Sequence, residues 1–401
     1  MHHSFFELTI VMYIFTCLYT GHHVRQIVLP DKSTRNTTIN KLMFFAVYFL
    51  LSSSIFLGFT EKFGDAIQNL GCILWGFYFY FLIFCFLSDL FLGALLLFST
   101  IKHKQLVTEK VTRITYIGSI VLCIVFLIFG AAYAKVIRVA SYDITIKQSS
   151  NASQKNISAS PKDLRIVMLS DTHLGKQLGL SDVKRWVDKI NALQPDIVCI
   201  CGDIFNDSIY DVNNLEQIQS TFSSISSTYG TFSCLGNHDT YGIIDDYGNI
   251  TQDAKSFFEG SNITLLHDDY RLIDNSFYIV GRRDASPSMD DSDYTCKDLS
   301  EILKDTNKDY PVILLDHRPQ RFDEAIDNNV SLLLAGHTHL GQLFPANIIT
   351  NVTYECDYGL YTKEDNGHSF NAIVSSGLGY WGPPLRIGSS CEVVVVNVTI
   401  E

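Results

Sequence analysis

Hydrophobic residues are distributed unevenly along this 401-residue chain, and their pattern divides it into two parts. Before residue 140 the apolar residues form four long runs, at about 4–21, 42–60, 70–99 and 114–134. Each run is close to or longer than the ~20 residues that an α-helix needs to cross a bilayer. The pattern therefore predicts a membrane domain of four transmembrane helices over residues 1–140.

Two of these runs leave alternatives open. The first could be a signal peptide, but it lacks a start rich in Lys or Arg and contains Glu7, which favours a retained helix. The third is longer than one perpendicular crossing needs, so it tilts, extends past the bilayer or breaks near Asp89. A carboxylate in an apolar helix is costly unless it faces other helices or water, so Asp89 is expected to face the bundle interior and is a minor functional candidate.

Beyond a polar linker at 141–161, short apolar runs alternate with amphipathic stretches. Short apolar runs bounded by turn residues are typical of buried strands, and the amphipathic stretches are typical of helices. The predicted strands lie at 164–169, 197–201, 232–235, 312–315, 331–335 and 393–398, with a hairpin-like run at 263–282. The predicted helices lie at 181–190, 212–227, 252–259, 298–304 and 322–327. This alternation predicts an α/β domain over residues 162–401.

The basic residues of the loops predict how the helices are oriented. They are concentrated after the first and the third apolar run, at Arg25, Lys32, Arg35, Lys41, Lys102, Lys104, Lys110 and Arg113. Basic loops face the cytoplasm, so an even number of helices places the C-terminal domain on the extracellular or lumenal side. Lys135 and Arg138, directly after the last run, argue against this orientation.

Two further features fit an exported domain. In the C-terminal region, Asn-x-Ser/Thr glycosylation signals occur at Asn151, Asn156, Asn206, Asn249, Asn262, Asn329, Asn351 and Asn397, so a glycoprotein is expected. Asn36 carries the same signal in a loop that is predicted to be cytoplasmic. Three cysteines, Cys296, Cys356 and Cys391, lie in predicted loops or late strands, and one pair of them could form a disulfide outside the cytoplasm.

The formal charge also differs between the two parts. Residues 1–140 hold 11 basic and 6 acidic residues, whereas the remainder holds 19 and 36, so the net charge changes from about +5 to about −17. An acidic domain argues against nucleic acid as a partner, because phosphate backbones are bound by Lys and Arg.

Polar residues follow five of the predicted strands at the point where each strand ends. Gly336-His337-Thr338-His339 delivers two imidazoles from the end of one strand. The other strand ends read Asp171-Thr172-His173, Gly202-Asp203, Gly236-Asn237-His238-Asp239 and Asp316-His317. Ligands of α/β folds collect beyond the carboxyl ends of the strands, and this mixture of carboxylate, amide and imidazole favours a metal site there.

In order and spacing, these residues resemble the motif series of the calcineurin-like metallophosphoesterases over residues 162–401. Gly341-Gln342 and the runs at 376–379 and 384–388 resemble the membrane-anchored branch of that family. The resemblance implies an α-helical membrane region joined to an α/β domain in which two mixed β-sheets form a sandwich flanked by helices. It also implies a metal-dependent phosphoric ester hydrolase.

The resemblance further implies a centre of two divalent metal ions. The implied ligands are Asp171, His173 and His339 for the first ion, Asn237, His317 and His337 for the second, and Asp203 as the bridge. Oxygen and nitrogen ligands together suit Mn, Fe or Zn, and two such cations lower the pKa of water so that hydroxide can attack phosphorus. His238 would protonate the leaving group, with Asp239 orienting its ring.

One departure from the superfamily bears on the substrate. Its protein serine/threonine phosphatases carry an arginine shortly after the Gly-Asp motif, whereas residues 204–208 contain none, so a protein substrate is not expected. A domain close to a bilayer suggests a lipid-linked phosphate ester. Arg386 and the pair Tyr380-Trp381 are candidates for the substrate mouth, and a packed turn beside Gly382-Pro383-Pro384 is the alternative for the aromatic pair. The alternative is a membrane receptor or binding module that holds metal without turnover, but such a module needs no proton donor like His238.

Overall fold

A computed structural model describes residues 2–29, 37–59, 64–147, 162–239, 242–245, 248–284, 296–365 and 368–401. The chain forms two compact units. The first comprises Met1–Ala132 and Gly382–Leu385, and the second comprises Tyr133–Trp381 and Arg386–Glu401.

The first unit is built from helices that follow the long apolar runs. They are α1 (His2–Val28), α2 (Thr38–Ser52), α3 (Asp65–Lys102) and α4 (Glu109–Tyr133). By length and composition, three segments of the described part are apolar enough to cross a membrane, namely Thr38–Phe56, Asp65–Lys102 and Glu109–Tyr133. The first predicted run lies within α1, which is not among these three, so the fourth span stays a prediction. Helix α3 is unbroken at Asp89 and, at ~1.5 Å per residue, is longer than a bilayer core is thick.

Asp89 faces other helices, as expected for a carboxylate in an apolar segment. It accepts hydrogen bonds from the hydroxyl groups of Tyr19 (2.7 Å) and Tyr116 (3.0 Å). Nε2 of His23 lies 3.0 Å from Oδ1, the oxygen that also accepts from Tyr116. The carboxylate thus has hydrogen-bonding partners on α1 and α4, while its side chain remains 38% exposed.

The second unit contains two six-stranded mixed sheets. The first has the order β1-β12-β2-β3-β4-β5 and the second the order β10-β11-β9-β8-β7-β6. The strands of the first sheet are β1 (Ile137–Ile146), β2 (Lys162–Leu169), β3 (Ile197–Cys201), β4 (Thr231–Cys234), β5 (Ile263–Leu265) and β12 (Cys391–Ile400). Those of the second are β6 (Asp269–Ile273), β7 (Phe277–Gly281), β8 (Val312–Leu315), β9 (Val330–Ala335), β10 (Gly359–Asp365) and β11 (His368–Val374).

The two sheets pack face to face and helices cover their outer faces. One apolar cluster joins side chains of both sheets, such as Ile166 and Met168 of β2 with Ile313 and Leu315 of β8. The helices of this unit are α5 (Leu180–Ala192), α6 (Leu215–Phe222), α7 (Gln252–Gly260), α8 (Leu299–Ile302), α9 (Phe322–Asp327) and α10 (Ala346–Thr353). Helices α5 to α7 pack on the first sheet, and α8 and α9 pack on the second. The predicted sandwich of two mixed sheets flanked by helices is confirmed.

The start of the predicted linker differs from the structure. Residues 141–146 belong to β1, which pairs in parallel with β12 over its full length. Ile144 and Ile146 are buried while the residues between and before them are more exposed, so this is a strand with a period of two in a polar stretch. Residues 148–161 of the predicted linker lie outside the described residues. All ten cysteines are described and all are free thiols, so the suggested disulfide is not formed.

Candidate metal centre

The site is assembled at one edge of the sheets because the strands that carry it run parallel. Strands β2, β3 and β4 are parallel neighbours in the first sheet, and β8 and β9 are parallel neighbours in the second. Backbone hydrogen bonds then join the loops that follow them. The Asp171 N–H donates to the Gly202 carbonyl (3.0 Å), and the Gly336 N–H donates to the His317 carbonyl (2.9 Å).

Glycines allow these loops to approach one another closely. Gly202 has φ +79°, and a Cβ there would lie 2.6 Å from Nδ1 of His317. A Cβ on Gly336 would collide with the Asp171 carboxylate. Both positions therefore require a residue without a side chain.

Five of the seven predicted ligands have left-handed backbone conformations. Their φ angles are 53° at Asp171, 44° at His173, 51° at Asp203, 71° at His337 and 51° at His339. Such conformations cost non-glycine residues roughly 1–3 kcal/mol each and cluster where function requires them. The strain turns the side chains out of the strand direction and toward one another.

The first group of side chains brings together Asp171, His173 and His339, whose ligand atoms lie within 4.8 Å of one another. Nε2 of His173 lies 3.0 Å from Nε2 of His339, which in turn lies 3.4 Å from Oδ1 of Asp171. Burial lowers the pKa of His173 to about 3 and holds that of His339 well below its usual value. Burial raises the pKa of Asp171 to about 6. Two neutral imidazoles and a buried carboxyl aimed at one point can hold a cation.

The second group brings together Asp203, His317 and His337, again within 4.8 Å. Nδ1 of His317 donates to the Cys201 carbonyl (2.8 Å), which leaves Nε2 directed at Oδ2 of Asp203, 3.1 Å away. Burial works to lower the pKa of His317, but the Asp203 carboxylate outweighs it and raises the pKa to about 10. Burial lowers the pKa of His337 to about 3.

Asp203 lies between the two groups. Its Oδ2 atom is 3.1 Å from His317 Nε2 and 3.8 Å from His173 Nε2, whereas Oδ1 accepts the His238 N–H at 2.9 Å. Burial alone would raise the pKa of Asp203, but His317 outweighs it and holds the pKa well below its usual value. An ionised carboxylate is thus present where two neighbouring cations would need one.

The donor set fits two divalent cations. Among the described residues, Oδ1 of Asn237 and Nε2 of His317 are buried without an aligned hydrogen-bond partner. An unpaired buried polar atom costs about 1–3 kcal/mol, which a cation at that atom would remove. Carboxylate, amide and imidazole donors are those that Mn, Fe and Zn accept.

His238 lies over the first group, but the contacts of Asp239 differ from the prediction. Nδ1 of His238 donates to the Asn206 carbonyl (2.6 Å) and lies 3.9 Å from Asp207. The carboxylate of Asp239 points the other way and accepts the N–H groups of Phe205 and Gly236, both at 2.9 Å. Neighbouring side chains in a turn diverge, so Asn206 and Asp207 hold the ring while Asp239 fixes the two loops. The prediction that Asp239 orients His238 does not match these contacts.

Arg386 is buried rather than at the substrate mouth, where the sequence suggested it. Its Nη1 donates to the His339 carbonyl (3.0 Å), Nη2 donates to the Gly379 carbonyl (2.6 Å), and Nη2 lies 3.1 Å from Nδ1 of His339. The guanidinium therefore positions His339. Trp381, with its ring 6.0 Å from that of His238, and Tyr354, with its ring 6.0 Å from that of His337, are the aromatic residues beside the site.

Replacing Arg386 by methionine is expected to lower both stability and metal affinity. The variant leaves the carbonyls of His339 and Gly379 without their charged donor, at about 3 kcal/mol or more in the free energy of unfolding. Chemical denaturation and metal analysis of the purified variant check this. Arg165→Met is the control, because its exposed guanidinium contacts Leu193 and Asn397 at 3.4 Å each. Equal effects of the two substitutions would contradict a positioning role.

The chain is similar to known proteins over its C-terminal part. The family model of the calcineurin-like phosphoesterase matches residues 164–341. A metallophosphoesterase of Campylobacter jejuni is 34% identical over 237 residues, which cover 59% of each chain. The transmembrane protein with metallophosphoesterase domain of Danio rerio is 30% identical over 249 residues, 59% of this chain and 53% of that one. A metallophosphoesterase of Bacillus subtilis is 30% identical over 240 residues, 58% of this chain and 78% of that one.

The matches leave part of the relatives uncovered. The chain spans 59% of the length of the Campylobacter jejuni relative and 53% of that of the Danio rerio relative. Among solved structures, the 5'-nucleotidase precursor of Thermus thermophilus aligns at 13% identity and a TM-score of 0.35, over 59% of this chain and 55% of that one. That similarity is too low to carry an inference about function.

Proposed function

The chain belongs to the calcineurin-like metallophosphoesterase family, and we propose that it is a membrane-anchored phosphoesterase that uses two metal ions to hydrolyse a lipid-linked phosphate ester. The observation that carries the proposal is the position of Asp203, whose single Oδ2 atom faces His317 of one ligand group and His173 of the other. A carboxylate in this position suits two cations a few ångströms apart.

The residues of the chain divide the catalytic work. One cation would be held by Asp171, His173 and His339. The other would be held by Asn237, His317 and His337, and Asp203 would contact both. When bound, such a pair of cations activates water and stabilises the charge on the phosphoryl group. His238 supplies the proton that the leaving oxygen needs, and its ring is held for that task by the Asn206 carbonyl.

An exposed apolar surface beside the site favours a lipid-linked substrate. In helix α10, Ile348, Ile349 and Val352 are 57%, 68% and 83% exposed. The chain reaches this helix from Gln342, which exchanges two hydrogen bonds with Trp381, and leaves it at Tyr354, beside His337. An apolar patch of this kind marks an interaction surface, and acyl chains are the partner that suits a membrane-anchored domain.

Charge introduced into this surface is expected to separate lipid from soluble substrates. In full-length Ile349→Asp/Val352→Asp, hydrolysis of phosphatidic acid in vesicles should fall at least about tenfold, because an apolar contact with the bilayer is lost. Hydrolysis of an aryl phosphomonoester in solution should stay within about twofold of the unmodified protein. Both rates are measured with Mn present.

The matched control is Leu272→Asp in β6, an exposed apolar position with 40% exposure in the second sheet. It should leave both rates unchanged. A parallel loss of both rates in the α10 variant, or an unchanged rate on lipid, would contradict the lipid-linked substrate while leaving the phosphoesterase proposal intact.

We also propose four membrane spans with the catalytic domain on the extracellular or lumenal side. The support is the basic loops after the first and third apolar runs. Among the glycosylation signals, Asn249, Asn262 and Asn329 are exposed. Asn351 lies in α10, so a glycan there and contact of the same helix with lipid exclude each other.

A further inference from the structure

A small cavity lined by arginines lies beside the second ligand group. It has a volume of about 60 Å³ and is lined by Arg282, Arg283, Asp284, Cys296, Asp316, Arg318, Gln320 and Arg321. About 10–15 Å³ of such volume holds one water, so the cavity has room for the four oxygens of a tetrahedral anion. One of these arginines, Arg318, directly follows the predicted ligand His317.

Two of the four arginines are committed to the structure. Arg282 is buried, and its guanidinium contacts both Asp316 and Glu324. Arg283 donates from Nε and Nη2 to Oδ2 of Asp268, at 3.1 and 2.9 Å. These three ion pairs hold Arg282 and Arg283 in the wall of the cavity.

Arg318 and Arg321 retain unused donors. Nε of Arg318 lies 2.8 Å from Oδ2 of Asp284 without being aligned for a hydrogen bond, and its Nη atoms form no hydrogen bond with any residue that the structure describes. Among the described residues, Nη1 of Arg321 donates only to Sγ of Cys296, at 3.0 Å, and lies 3.9 Å from Glu324. A guanidinium fork with free N–H groups is suited to bind phosphate oxygens in pairs.

Arg318 is linked to the second ligand group by the chain. Its Nε lies 2.8 Å from Oδ2 of Asp284, and the residue before it, His317, has Nε2 at 3.1 Å from Oδ2 of Asp203. The arginine cavity therefore begins one residue along the chain from a predicted ligand of the reacting phosphoryl group's metal centre.

We propose that Arg318 and Arg321 form a subsite for a second phosphoryl group, so that the natural substrate carries two neighbouring phosphoryl groups, as a diphosphate ester does. This inference rests on the proposed function and narrows its substrate class. The loop at residues 204–208 contains no arginine that could bind an anion. The cavity supplies two arginines from the loop between β8 and α9. The reaction at the two ligand groups is still hydrolysis of the phosphate ester bond, and the subsite contributes binding energy for the second phosphoryl group.

The test compares inorganic pyrophosphate with inorganic phosphate as ligands. Each is titrated by calorimetry into the full-length protein at fixed free Mn, so that complexation of Mn by the anions is the same for every variant. Pyrophosphate should bind at least about tenfold more tightly than phosphate. This factor is what a charge-assisted pair of hydrogen bonds between a guanidinium and the second phosphoryl group contributes. Arg318→Gln should remove most of this preference for pyrophosphate, and Arg321→Gln should remove part of it. Arg318→Lys should remove less of the preference than Arg318→Gln does.

Arg271→Gln is the matched control, because this exposed arginine of β6 pairs with Asp269 and lines no part of the cavity. It should keep the full preference. Equal affinity for the two anions in the unmodified protein, or a preference kept in both Arg318→Gln and Arg321→Gln, would overturn the subsite. Arg321→Gln guards against misfolding, since it leaves the Arg318–Asp284 contact intact.

A kinetic readout separates the subsite from the proposed function. The KM for an aryl diphosphate should rise about tenfold more than the KM for an aryl phosphomonoester in Arg318→Gln, with little difference in kcat. If the unmodified protein hydrolyses neither ester yet prefers pyrophosphate through Arg318, the proposed function fails while the subsite stands. If it hydrolyses both esters and Arg318→Gln changes both KM values equally, the subsite fails alone.

Discussion

Asp203→Asn is expected to lower kcat/KM for any phosphate ester at least about a thousandfold, or about 4 kcal/mol at 1.36 kcal/mol per tenfold. The amide keeps the size of the side chain and can still accept the His238 N–H, but it carries no charge. It cannot offset the repulsion of two cations, so metal content should fall from about two ions per chain to about one. Steady-state kinetics and metal analysis of the full-length protein measure both effects.

The matched control for this substitution is Asp196→Asn, at the other end of the same strand. Asp196 precedes β3 and accepts the Arg165 N–H at 2.8 Å, whereas Asp203 follows β3. Its substitution should change stability by about 1 kcal/mol and leave metal content unchanged. Two bound ions in Asp203→Asn together with normal turnover would show that this carboxylate does not bridge the centre.

His238→Ala is expected to lower kcat about a hundredfold to ten-thousandfold for an alkyl phosphate while both metal ions remain bound. The loss should be much smaller for a nitrophenyl ester, because nitrophenolate leaves without a proton. This contrast distinguishes a proton donor from a histidine that only supports the fold. His368→Ala is the control, since its ring contacts the Val330 carbonyl in the second sheet.

The pH dependence tests the same role. Burial works to lower the pKa of His238, but Asp207 and Asp203 outweigh it and raise the pKa to about 9. The acid form is present below that pKa and is lost above it, so kcat for an alkyl phosphate should fall on the alkaline side. Bound cations repel the imidazolium, so the fall should lie at or below pH 9. An alkaline fall that persists in His238→Ala would assign it to another group.

The sequence predicts the strands of the site well because each is a short apolar run that stops at a glycine, a serine or a carboxylate. Residues 197–201 and 312–315 are strands with the predicted bounds. The residues that meet at the site could be named because parallel strands present their carboxyl ends at one edge. The pattern has no signal for an edge strand with many polar residues, so the sequence predicts linker at residues 141–146, where the structure has the second part of β1.

Side-chain contacts within the site were less predictable. Asp239 directly follows His238 in the sequence, but the turn sends the two side chains apart, and Asn206 and Asp207 reach the imidazole from another loop. Arg386 lies beside two glycines that its guanidinium contacts, and its burial follows from tertiary packing alone. Five of the seven predicted ligands have a left-handed backbone, which non-glycine residues disfavour. Sequence patterns are least informative at positions where the structure opposes the local preference of the residue.

The most direct test of the account is a titration of Mn into the metal-free full-length protein, with hydrolysis of an aryl phosphomonoester and an aryl phosphodiester followed at each step. A binuclear phosphoesterase should bind about two ions per chain and gain most of its turnover with the second. Binding of two ions without hydrolysis of either ester or of phosphatidic acid in vesicles would contradict catalysis and favour a membrane receptor or binding module that holds metal.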